Sequence, residues 1–64
     1  MEDIKKLSNS ELLTKFMISR ENLVHYKMMY MQCTYNEQSF YANMITLETQ
    51  DFNNLKDEIY RRMK

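Results

Sequence analysis

Few side chains in this sequence are of types that do chemistry, and their surroundings limit what each can do. His25 is the only histidine and Cys33 the only cysteine. A cysteine nucleophile needs a base and an orienting group within hydrogen-bond reach. Helical spacing puts no such pair beside Cys33, so it reads as a structural thiol and His25 as a solvated surface side chain. One histidine and one cysteine make neither a zinc site of the usual kind nor an internal disulfide. Glu48 and Asp51 have the spacing of paired acids, yet each has a candidate cation to neutralise it. The chain carries no glycine-rich phosphate loop, HExxH, GxSxG or CxxC. No catalytic, cofactor-binding or metal-binding residue is expected, and the chain is not expected to be an enzyme.

Sixty-four residues are expected to form a single domain over 1–64. A chain near that length buries only about 60% of its unfolded surface, so packed helices or association must stabilise it. Nine basic and nine acidic side chains cancel, whereas non-specific nucleic-acid binding calls for a basic excess. Arg61, Arg62 and Lys64 close the chain, and a hairpin would bring Lys5 and Lys6 to the same end. That patch keeps a nucleic-acid-associated role as the runner-up. No apolar run approaches the roughly 18 residues of a membrane span, no signal-peptide pattern opens the chain, and a lone cysteine suits a reducing cytoplasm.

Glycine and proline are both absent, which argues against a strand-rich fold with its need for turn punctuation. Seven methionines, five tyrosines, six asparagines and one alanine match the usage of an A/T-rich bacterial or phage genome.

The local signals point to two helices. Ser8 and Glu11 have the spacing of a capping box, and Leu7 and Leu12 that of a hydrophobic staple. A helix is predicted over 9–35 after an N-terminal arm at 1–8. Its apolar positions, Leu12, Leu13, Phe16, Met17, Leu23, Val24, Met28, Tyr30, Met31 and Tyr35, span an arc of about 160°. A turn is predicted at 36–38, with Asn36 as the residue most tolerant of a left-handed helix end and Ser39 or Asn36 as the next cap. A second helix follows over 39–63, with Phe40, Tyr41, Met44, Ile45, Leu47, Phe52, Leu55, Ile59 and Met63 on one arc. Asp51-Phe52-Asn53-Asn54 is a weak point where it could break. One continuous helix would need a strict coiled-coil heptad, which the apolar residues do not show.

Charge placement supports the hairpin. Arg20 and Lys27 lie amid the first arc, Glu48 and Asp51 within the second. A turn at 36–37 brings Arg20 near Asp51 and Lys27 near Glu48, as two structural ion pairs.

The fold class expected is therefore all-α, an antiparallel two-helix hairpin. Phe16, Leu23, Tyr30, Leu47 and Leu55 can fill its seam. Met17, Val24, Met28, Met31, Ile45 and Phe52 then remain as a second apolar stripe for partner binding. Completion to a four-helix bundle, by homodimerisation or by a protein partner, would cover it. Leu7-Ser8, Glu11-Leu12-Leu13 and Phe16 resemble the opening of the first helix in the Sda-type hairpin inhibitors of a sporulation histidine kinase. Glu58-Ile59-Tyr60-Arg61-Arg62 is similar to the end of their second helix. Together these segments cover about a fifth of the chain, and no kinase-binding residue carries over. The resemblance implies a cytoplasmic hairpin that binds and blocks a bacterial regulator. The expected function is thus a small protein-interaction module that inhibits or modulates a larger host protein. A structural self-assembling subunit is the other alternative.

Overall fold

The computed structural model describes residues 3–64. A 3-10 turn, Ile4–Lys6, leads to helix α1, Asn9–Gln32. A second 3-10 turn, Tyr35–Glu37, leads into helix α2, Gln38–Met63. The two helices pack against each other as an antiparallel hairpin measuring 43 × 18 × 17 Å.

Helix α1 starts where the capping box puts it. Ser8 Oγ accepts from the Glu11 amide and Glu11 Oε1 from the Ser8 amide, each at 3.1 Å. The staple pair, Leu7 and Leu12, is buried and joins Leu55 in the core, with Ile4, Phe16 and Ile59 around it. The far end differs from expectation. Helix α1 stops at Gln32, three residues before 35, and Cys33 and Thr34 turn the chain in extended conformation. Among the described residues none has positive φ, so Asn36 is no left-handed cap. It sits inside the second 3-10 turn, which feeds α2 without a side-chain cap, and Ser39 lies within the first turn of α2. Such 3-10 entries are common at helix starts. Helix α2 runs unbroken through Asp51-Phe52-Asn53-Asn54.

The seam follows a repeat that its polar members hide. Leu12, Phe16, Ser19, Leu23 and Tyr26 step along α1 in fours and threes, all buried or half-buried. Ile45, Glu48, Phe52, Leu55, Ile59 and Arg62 do the same along α2. This is the 3.5-residue repeat of a coiled-coil seam, so a heptad is present once Ser19, Tyr26, Glu48 and Arg62 are counted. The Phe16 and Phe52 rings stack at 4.8 Å, and Asn22 Nδ2 donates to Glu48 Oε1 at 3.4 Å. These pairs fix the register.

The packed face of α1 is offset from the centre of its apolar arc by about 80°, half the width of that arc. Arg20 and Lys27, expected near the middle, are exposed, while Ser19 is buried in the seam. A serine there lets the helices approach where arginine would hold them apart. Helix α2 keeps most of its expected face, with Phe40, Leu47 and Met63 left exposed. Tyr30, expected in the seam, is also exposed. The buried hydrophobic core comprises Leu7, Leu12, Leu23 and Leu55 among the described residues. Leu7, Leu12 and Leu55 cluster toward the end where the chain termini meet, and Leu23 lies apart from them past the middle of α1.

Candidate interaction surface

Rotation of α1 leaves the rest of its arc uncovered. Leu13, Met17, Val24, Met28 and Met31 lie along its outer side, and Tyr35 of the second 3-10 turn is a further exposed residue past the end of α1. Each is at least half exposed, Met31 by 84% and Tyr35 by 86%. At helical spacing the five on α1 fall together on one side, beyond Arg20 and Lys27 from the seam, so α1 carries two apolar stripes and α2 covers one. Methionine supplies three of the five, and its unbranched, polarizable side chain adapts to irregular partners. Val24, Met17, Arg20 and Glu21 enclose a shallow depression at its centre.

Of the expected partner-binding residues, the structure brings Met17, Val24, Met28 and Met31 together on this stripe. Ile45 and Phe52 do not join it as free residues. Both are half-buried in the seam, Phe52 against Phe16, because the rotation makes α2 pack on that side. Leu13 extends the stripe at its N-terminal end and is legible in the apolar arc.

The expected ion pairs do not form. No ion pair joins Arg20 to Asp51 or Lys27 to Glu48 among the described residues. Arg20 stands at nearly the right height but points away from the seam. Glu48 takes Asn22 instead.

The strongest polar cluster lies where the termini meet. Glu58 is buried to 6% and receives Arg61 and Arg62 on its two oxygens. Those hydrogen bonds, Arg61 first, bring its carboxyl down to about 2 and raise Arg61. Arg62 then spans to the N-terminal arm, donating to the Leu7 carbonyl and Asn9 Oδ1 at 2.8 Å and to the Ile4 and Lys5 carbonyls at 3.3 Å. One guanidinium thus satisfies the Lys5 and Leu7 carbonyls and shares the Ile4 carbonyl with the Leu7 amide. The i,i+4 spacing of Glu58 and Arg62 was a readable signal for part of this. The reach to the arm had none. Two cations of the terminal basic cluster are therefore engaged inside the fold. Glu11 is held below the usual carboxylate range by the Ser8 amide, then by the Ser8 hydroxyl.

A groove of about 420 Å³ on the opposite side is lined by Ile18, Ser19, Glu48, Asp51 and Leu55 among others. Ser19 Oγ is buried beside it without a hydrogen-bond partner. Cys33 Sγ donates to the Tyr30 carbonyl at 3.3 Å, with no base in contact, and His25 is exposed with its ring 6.0 Å from Tyr26. Among the described residues no cluster of three His, Cys, Asp or Glu side chains is placed to hold a metal. Among the described residues no helix is long and apolar enough to cross a membrane.

The architecture defines a class, a helical hairpin with one covered and one uncovered stripe on the same helix. Comparison with models of known protein families, with curated proteins and with solved structures finds no match.

Proposed function

We propose that this chain is a non-enzymatic interaction module that docks on a larger regulatory protein through the outer stripe of α1 and modulates or inhibits it. The observation that carries this reading is the stripe itself. Five large apolar side chains lie on one side of α1, each at least half exposed, on a chain whose own buried core is only four leucines among the described residues. Contiguous apolar surface of that kind marks an interaction site more often than it decorates a monomer. A third helix laid on the stripe would carry the hairpin toward a bundle, and a second copy of the chain is the competing way to supply it. The segments that resemble Sda-type inhibitors have local roles here, as cap, core and terminal clasp, so the likeness adds an inhibitory precedent and no binding residue. A single half-buried thiol suits a reducing compartment, and we place the module in the cytoplasm.

The test is a paired capture. Wild-type chain and Val24→Glu, shown by circular dichroism to be equally helical, are used as bait in a bacterial lysate. The reading expects a larger protein retained by the wild type and lost with the variant. Equal retention by both, or retention of nucleic acid in place of protein, contradicts it.

A further inference from the structure

The charges beside the stripe say what kind of surface it fits. Helical position places Arg20 and Lys27 of α1 and Lys56 of α2 on one side of the hairpin, the side on which the Phe16 and Phe52 rings stack. Arg20 and Lys27 are exposed and Lys56 half-buried, and none has an ion pair among the described residues. In the observed register Lys56 lies one turn beyond Phe52, level with the start of the stripe. Seven residues then separate that level from Arg20, and seven more reach Lys27. The three cations therefore recur about every 10 Å, two helical turns. By the same periodicity the nearest acid is Glu21, across the stripe from Arg20. Glu11, Glu48 and Asp51 fall on the opposite side.

Resting on the docking reading above, we infer that the occupant of this face is an amphipathic helix of a partner protein, with carboxylates at two-turn intervals beside its apolar stripe. A helix lying along it repeats one heptad position every 10 Å or so. Acidic residues seven apart would meet all three cations while apolar neighbours cover Leu13, Met17 and Val24. A second copy of this chain fits poorly. Two-fold pairing on this face would set Arg20 of one copy beside Lys27 of the other, with no acid between them. An anionic lipid surface fits poorly as well, because Glu21 lies at the outer edge of the stripe and would be pressed against the headgroups.

The experiment titrates the whole chain with two synthetic 28-residue helices, alike in their leucine stripe but carrying Glu or Lys beside it, and with phosphatidylserine vesicles. Saturable binding of the Glu helix, at least tenfold tighter than the Lys helix and weakened by salt, is expected. Arg20→Glu with Lys27→Glu should reverse the preference at unchanged helicity, since both side chains are exposed and unpaired. Equal binding of the two helices would overturn the charge rule while leaving the stripe as a docking surface. Vesicle binding without helix binding, or self-association that Val24→Glu abolishes while neither helix binds, would overturn the inference in favour of lipid or a second copy.

Discussion

Arg62 Nε donates to Glu58 Oε2 at 2.8 Å, and the same guanidinium holds the carbonyl of Leu7 fifty-five positions away in the chain. The pair thereby ties the last turn of α2 to the segment that leads into α1. The buried leucine cluster lies directly beneath.

Acid should loosen this clasp. The Glu58 carboxyl is lowered from 4.5 to about 2 by its arginines. A depressed folded value means the contribution is fully present above the unfolded value and is lost as pH falls from there toward 2. Glu11, lowered by its cap, acts in the same direction. Melting curves should therefore shift down between pH 5 and pH 2.5, and Glu58→Gln should shift less over that interval. An identical acid shift in Glu58→Gln would remove Glu58 as its source.

Arg62→Ala should free the arm at a cost on the order of 2 kcal/mol, since hydrogen bonds to a charged group count for about 1.5–3 kcal/mol. Arg62→Lys should rescue little, because an ammonium cannot fork between a carboxylate and several carbonyls. Amide exchange at residues 4–7 should speed up in both variants. Unchanged protection there would show the arm is held by Ile4 and Leu7 alone.

The rotation of α1 is tested by neighbours. Leu12 is 2% exposed and Leu13 51%. Leu12→Ala should destabilise by about 2–5 kcal/mol, and Leu13→Ala by no more than about 0.5 kcal/mol. Comparable losses in urea titrations would mean the packed face is misassigned. The same geometry expects no coupling between Arg20 and Asp51, within about 0.3 kcal/mol in a double-mutant cycle.

Ser19→Ala should be neutral or stabilising by up to about 1 kcal/mol. It removes a buried hydroxyl that has no partner and improves helix propensity. A clear loss of stability would show that Ser19 Oγ is satisfied in solution.

The parts of the fold legible in the sequence are those written locally. Ser8 and Glu11 announce the start of α1 because a capping box is complete within four residues. Two apolar arcs free of glycine and proline announce two helices. Which part of a wide arc packs is not local. It depended on a small residue, Ser19, at the close approach, and a hydrophobicity pattern gives serine no weight. Arg20 and Lys27 looked central because large residues flank them on both sides. The turn was misplaced for a similar reason, since Cys33 and Thr34 reverse the chain by extended geometry that many residues adopt. Met17, Val24, Met28 and Met31 were found from the excess width of the arc, whereas Ile45 and Phe52 went with the seam once α1 turned.

Whether the outer stripe of α1 docks on a protein is read by proximity in the cell. A photo-crosslinking side chain is placed at Val24 in one strain and at Gln50, exposed on α2, in another. An adduct with a distinct larger protein is expected from position 24 and none from position 50. Adducts equal from both positions, or from position 24 only with a second copy of the chain, would contradict that docking.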